Sequence, residues 1–313
     1  MYHFCTIGSG NYLPFIETLF HSLREQDENV VLHALVTDGL TPAVSHNNLR
    51  YYSIDQLMDE PYVREIVDKY SYRNDYMRWA LKPVLLLYLN KKFGKIIYVD
   101  NDIYFFKKFD FIFTELEQYS ILLTPHWCSF LPLPNEENFK TNFQIGLFNA
   151  GFVGASDHAS EILSWWTKAC LYKMERNDKE GLFDDQRYLD LVPVIDEKAG
   201  ILRHRGCNLG SWNMHQNKRT LVNNEVLING SFPVVFVHFN HDTIWHILNG
   251  NDKLLQPYFA AYEKAFAKTG NDLQTYIKSL QDWKNLDIVH KLKHKTLIRT
   301  RLKNWLFRLS QKL

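Results

Sequence analysis

The chain alternates short apolar runs with stretches in which apolar residues recur every three or four positions. Tyr2 to Ile7 is a mostly apolar run closed by Gly8-Ser9-Gly10, a buried strand ended by a turn. From Tyr12 to Leu23 the apolar positions are Phe15, Ile16, Leu19, Phe20 and Leu23, the spacing of one helix face. Val30 to Val36 is a second strand, stopped by Thr37-Asp38-Gly39. This strand–helix–strand opening favours a parallel sheet covered by helices. Helices are expected over 62–70 and 74–90, with Pro83 imposing a kink or boundary near Leu81. Lys95 to Val99 is a third strand, running directly into Asp100-Asn101-Asp102.

The middle is less regular. Ile121 to Thr124 suits a strand, and 131–140 a loop. Gly146 to Ala155, with Gly151 and Gly154 inside it, suits two short strands around a bend. Ala159 to Met174 has helical spacing, and 184–191 predicts a short helix capped by one of its aspartates. Val234 to Val237 is a strand ending at His238, followed by helices near 253–268 and 272–283.

Composition narrows the class. The apolar share of 46% and charged share of 23% are those of a globular protein, which excludes disorder over most of the 313 residues. Cys5, Cys128, Cys170 and Cys207 have no metal-knuckle spacing, and four scattered cysteines suit a reducing compartment. The first residues have no basic segment or cleavage site of a secretory leader, and no run of 18 apolar residues occurs. A cytoplasmic location is the expectation.

Ligands of open α/β sheets sit beyond the carboxyl ends of the strands. The polar residues at those ends are Thr6, Gly8, Asp38, Asp100, Asp102 and His238, and they are expected to share one cleft. Asp100 and Asp102 can both turn toward a hard divalent ion such as Mn²⁺ or Mg²⁺, which neutralises a diphosphate leaving group. A solvated, self-capping loop is the plain alternative. His238 offers an imidazole as third ligand, with His241 and His246 as nearby competitors. Asp184 and Asp185 either do no more than cap a helix, or Asp185 and Gln186 hydrogen-bond sugar hydroxyls.

Several segments resemble the GT-A fold glycosyltransferases, which use nucleotide-diphosphate sugars. They are most similar to a bacterial group that opens with the pattern seen at Phe4-Cys5-Thr6-Ile7-Gly8-Ser9-Gly10-Asn11-Tyr12-Leu13. Ala80-Leu81-Lys82-Pro83, Ile97 to Ile103, Phe148 to Phe152, Gly181 to Arg187, Asp190 to Pro193, Ile201 to Arg203, Trp212-Asn213 and Val237 to Phe239 follow in the group's order. A more distant similarity is to the family 8 retaining enzymes. The resemblance implies a GT-A type, Rossmann-like mixed sheet flanked by helices, with a C-terminal helical extension. It implies that Asp100, Asp102 and His238 hold Mn²⁺ (or Mg²⁺). By the same likeness Thr6, Ile7, Tyr12 and Asp38 lie at the base and ribose, Asn101 within the donor site, Lys82 on the donor, and Asn149, Asp185 and Gln186 at the sugar. Family 8 members often follow the metal histidine with a lysine that clamps the diphosphate. Here His238-Phe239-Asn240-His241-Asp242 has none, and Arg203-His204-Arg205 is a substitute source of positive charge.

The implied activity is hexosyl transfer, retaining by family likeness, from a UDP-sugar to a glycan or lipid-linked acceptor of bacterial surface polysaccharide or lipopolysaccharide. A sugar-nucleotide hydrolase, a nucleotidyltransferase and a catalytically dead binding protein use similar residues. Organisation is expected as a transferase domain over 1–245, a helical extension over 246–283 and a tail over 284–313. The tail holds nine Lys or Arg and one acid, Asp287, a net of +8; the rest holds 27 bases and 34 acids, a net of −7. Ile298, Leu302, Trp305, Leu306, Leu309 and Leu313 fall on one helical stripe. A basic amphipathic helix reads as a peripheral anchor on an anionic membrane, or as a helix docked on protein. No nucleic-acid partner is expected.

Overall fold

The computed structural model describes residues 1–40, 46–133, 135–177 and 179–279. The chain divides into two compact units, Met1–Thr269 and Gly270–Leu313. Of the second, one helix, Leu273–Ser279, is described. The basic stripe over 284–313 lies outside the described residues.

The first unit opens with β1 (Tyr2–Gly8), α1 (Leu13–Gln26), β2 (Val30–Val36) and β3 (Leu49–Tyr52). Helices α2 (Val63–Tyr70), α3 (Asn74–Ala80) and α4 (Lys82–Phe93) follow. The expected 74–90 helix is broken at Leu81, because Pro83 has no N–H to donate and starts a new helix. Next come β4 (Ile96–Val99), β5 (Ile103–Phe105), α5 (Asp110–Leu116), β6 (Ile121–Pro125), α6 (Glu136–Gln144) and β7 (Phe148–Ala155). The chain continues through α7 (Ser160–Tyr172), the β8 (Arg176–Asn177) and β9 (Leu182–Phe183) pair, α8 (Val192–Ile195) and β10 (Ala199–Ile201). It closes with β11 (Arg219–Val222), β12 (Glu225–Ile228), β13 (Phe232–Pro233), β14 (Phe236–His238), α9 (His241–Leu248) and α10 (Gln256–Ala267).

Seven strands form one sheet in the order β10-β6-β7-β4-β1-β2-β3. β4, β1, β2 and β3 are parallel, as the opening pattern predicts, whereas β7 runs antiparallel to both β4 and β6. The sheet is therefore mixed. Both of its faces are buried. Cys5, Ile7 and Tyr98 pack with Leu81, Leu85 and Trp166 of the helices on one side, and Phe4, Ile97 and Val99 with Ile16, Leu19 and Phe113 on the other. Double burial is why these strands read as unbroken apolar runs rather than as alternating ones.

Two expectations fail for identifiable reasons. The segment expected as a loop over 131–140 enters α6 at Glu136, capped by Asn135, whose side chain accepts the Asn138 N–H. The segment expected as two strands is the single β7. Gly154 sits where a Cβ would press on Leu122 and Leu116, so its glycine reports close packing and not a bend.

Candidate metal and donor site

The strand order reverses between β1 and β4: the chain lays β2 and β3 on one side of β1 and returns to place β4 on the other. Such a switch point opens a crevice beyond the strand ends. Asp100 follows β4 immediately, and its N–H donates to the Gly151 carbonyl at 2.9 Å. β14 pairs antiparallel with β5, setting His238 opposite Ile103, one residue after Asp102. One ligand atom each from Asp100, Asp102 and His238 lies within 4.8 Å of the others. Neither His241 nor His246 belongs to this group.

His238 Nε2 is 3.0 Å from Asp102 Oδ1 and 3.8 Å from Asp100 Oδ2. Yet Asp102 Oδ1 is buried without hydrogen-bond geometry to any partner among the described residues. Two such atoms facing each other at this distance suit two ligands aimed at a common centre, since cis ligands about 2.1 Å from an octahedral ion lie about 3 Å apart. Two carboxylates and one imidazole form a donor set suited to a divalent metal ion. Burial pulls the His238 imidazole down, but the Asp102 and Asp100 carboxylates together outweigh it and hold the pKa above the ordinary value.

Gly151 of β7 makes this approach possible. A Cβ there would stand 2.6 Å from His238 Cε1, 2.6 Å from Asn149 Oδ1 and 2.9 Å from Asp100 Oδ2. No side chain larger than hydrogen fits unless the ligands move.

Lys82, the first residue of α4, is buried beside the cluster. Its Nζ is 3.1 Å from Asp100 Oδ1 and 3.2 Å from Asp185 Oδ2, and donates to the Ala150 carbonyl at 3.3 Å. Burial opposes its charge, and the two carboxylates overcome that and raise its pKa. Asp185 has the opposite balance: burial pushes its pKa up to about 6 against the pull of Lys82. The Tyr98 hydroxyl donates to Asp100 Oδ1 at 2.7 Å and fixes that carboxylate.

The expected aspartate cap is absent. Asp184 adopts φ +47° and pairs with Arg176, Asp185 faces Lys82, and Gln186 begins the 3₁₀ turn Arg187–Leu191 without capping it. Gln186 Oε1 accepts from the Ala150 N–H at 3.2 Å, and its Nε2 donates to the Ile145 carbonyl at 2.9 Å. Asn149 Oδ1 accepts from the Gly151 N–H, while its Nδ2 meets His126 Nε2 at 3.1 Å. Both amides lie beside the cluster, and both are held by backbone and His126.

The remaining expected residues gather at the end of β1. Asn101 Nδ2 donates to the Ile7 carbonyl at 2.8 Å, which ties the aspartate loop to β1. Tyr12 lies under the Arg78 guanidinium, 4.4 Å from ring centre to Cζ, and Asp38 accepts the Gly10 N–H. Thr6 Oγ1 is buried with no hydrogen-bond partner among the described residues. Arg203 and His204 do not join the cluster: Arg203 acts on Glu115, and His204 packs between Phe111 and Phe232.

Superposition on solved structures decides the fold. The galactosyltransferase LgtC, solved in complex with donor and acceptor sugar analogues, matches with a TM-score of 0.50 and 14% identity, covering 76% of this chain and 86% of that chain. This chain has the GT-A fold. In sequence it is similar to YfnF, an uncharacterized protein of Bacillus subtilis (26% identity over 247 residues; 76% of this chain, 80% of YfnF). It is likewise similar to YfnD, a second uncharacterized protein of that organism (27% over 254 residues; 78% of each). No family model matches the chain.

Reasoning from sequence missed Gly151, Tyr98, His126 and Arg78. Tyr98 and His126 carried a signal: one is the polar-tipped residue of an otherwise aliphatic strand, and the other directly follows the last residue of β6, a histidine at a strand's carboxyl end like His238 in β14. Gly151 carried one too, a glycine inside a strand, which marks close approach as readily as a turn.

Proposed function

We propose that the protein transfers a hexose-type sugar from a nucleotide-diphosphate donor, UDP-linked in the first instance, to a glycan or lipid-linked acceptor of bacterial surface polysaccharide or lipopolysaccharide. The carrying observation is the Asp100–Asp102–His238 cluster at the switch point of a GT-A sheet, with buried Lys82 between Asp100 and Asp185. A divalent ion held there, Mn²⁺ or Mg²⁺, supplies charge neutralisation and Lewis acidity to the departing diphosphate. Lys82 adds a fixed positive charge whose ionisation is secured by its two carboxylates. Asp185, largely ionised at neutral pH, faces the same space and can orient the sugar or accept the proton of the attacking hydroxyl. Asn149 and Gln186 floor the sugar end; Thr6, Ile7, Tyr12, Asp38 and Asn101 form the nucleotide end. The likeness to retaining enzymes supports retention of anomeric configuration. No described helix is long and apolar enough to cross a membrane. The basic sequence of 284–313 supports peripheral attachment to the cytoplasmic face of the plasma membrane.

The test is a panel of UDP-, GDP- and CMP-sugars with Mn²⁺. We expect metal-dependent nucleotide release from a UDP-sugar, lost in Asp102→Ala and accelerated by a sugar acceptor. Release that no acceptor changes favours the hydrolase reading, and failure to bind any nucleotide sugar defeats the transferase reading.

A further inference from the structure

On the rim beyond β6 stands an arginine whose charge no carboxylate among the described residues balances. Arg205 Cζ lies 3.4 Å from the ring centre of Trp127 and 5.8 Å from that of Phe130. The two rings meet edge to face at 6.1 Å. Trp127 holds φ +55°, the left-handed region that a bulky residue rarely enters, and Phe130 is 54% exposed. Strained backbone of this kind collects where a site is being shaped. Fully buried Asn217 clamps the arginine from behind: its Oδ1 accepts from Nη1 at 3.1 Å, and its Nδ2 donates to the Arg205 carbonyl at 3.3 Å. A guanidinium has five N–H donors in a planar fork, and here one is engaged. No carboxylate stands within ion-pairing distance among the described residues. Burial and the neighbouring Arg203 charge both press its pKa downward, so the spot is short of negative charge.

The placement of this fork assigns it a task. Trp127 follows His126, whose ring touches Trp212, which in turn lies edge-on to His238. In the sheet, β6 is two strands from β4, on the side opposite β1 and β2. At about 4.8 Å per strand the end of β6, which leads into Trp127, is displaced laterally by roughly 10 Å from the end of β4, which leads into the aspartates, the length of about two sugar rings. The nucleotide end lies on the other side. A stacked, preorganised guanidinium is a bidentate receptor for carboxylate or phosphate, and exposed aromatic rings beside it pack against the apolar face of a pyranose.

We propose that Arg205, stacked on Trp127 and Phe130, binds an anionic group, carboxylate or phosphate, on the acceptor sugar. The inference deepens the transferase reading and rests on it. The test titrates the full chain, with Mn²⁺ and UDP present, with three probes: p-nitrophenyl β-glucuronide, glucose 1-phosphate and neutral p-nitrophenyl β-glucoside. At least one anionic probe is expected to bind roughly tenfold or more tighter than the neutral one, an advantage that high salt weakens and Arg205→Gln removes. Preference for the glucuronide marks a uronic acid acceptor, and preference for the phosphate a sugar phosphate. Arg205→Lys, which keeps the charge and loses the planar fork, is expected to lose most of the advantage and serves should the glutamine variant not fold. Equal binding of charged and neutral probes, an unchanged preference in both variants, or no probe binding while UDP still binds overturns the proposal. Absence of UDP binding by the unaltered chain counts against the transferase reading instead, and the probe titration still decides the fork.

Discussion

Gly151 shows how narrow the tolerance is at single positions. Adding one methyl group there forces His238, Asn149 or Asp100 aside. We expect Gly151→Ala to keep its fold, at an overpacking cost of about 1–3 kcal/mol, and to weaken Mn²⁺ binding by tenfold or more; isothermal titration with Mn²⁺ and a urea melt separate the two effects. Lys82→Met removes the cation between two carboxylates and leaves Asp185 buried without a counter-charge. The expected loss is about 3–5 kcal/mol, read from the urea midpoint, together with loss of nucleotide release. The buried titratable groups also set an acid limit. Burial, foremost, holds His33 at about 3 and His126 at about 4, below the ordinary 6.5, so both are neutral when folded. Their contribution to stability is complete above pH 6.5 and is lost as pH falls toward 4 and 3. Asp185, raised to about 6 from 3.8, acts oppositely: its burial costs stability above pH 6, and the cost fades as pH falls toward 3.8. Among these three groups two losses oppose one gain, so together they lower stability as pH falls from 6 to 4. Urea midpoints at pH 6, 5 and 4 that stay level or rise would refute this account.

At the scale of elements, the junctions decide where chemistry sits. The helix break at Leu81 starts α4 with Lys82, and the β5–β14 pairing carries His238 to the aspartates. Behind them, the β11–β13 sheet is tied to the turn preceding α10 by a buried ion pair, Arg219 Nε to Asp252 Oδ2 at 3.0 Å, both side chains at or below 6% exposure. Asp252→Leu strands the Arg219 charge and is expected to cost about 3–5 kcal/mol. Arg219→Met with Asp252→Leu, removing both charges, is expected to recover most of it. A double variant no more stable than the single one would show that the pair contributes by attraction and not by mutual satisfaction. Local patterns placed most of these elements correctly, including the break at Leu81. They failed at α6, where Asn135 acts as a cap inside a polar stretch, and at β7, where glycines serve packing.

Over the whole molecule, the near-neutral total charge is the sum of an acidic body and a basic C-terminal segment, −7 and +8. Removal of 284–313 is expected to abolish sedimentation with phosphatidylglycerol vesicles at low salt while leaving soluble nucleotide release intact; unchanged sedimentation would mean the segment docks elsewhere. The periodicities, the strand-end aspartates and the buried faces of the strands were legible in sequence because each depends on residues close together in the chain. So was the GT-A likeness, since its motifs are contiguous. Tertiary structure alone chose His238 over His241 and His246, put Lys82 between Asp100 and Asp185, required hydrogen at position 151 and set Arg205 on its aromatic support with no carboxylate partner among the described residues. Those outcomes depend on sheet order and strand register, which bring together residues separated by as many as 138 positions, and a one-residue slip in register turns every side chain of a strand to the opposite face.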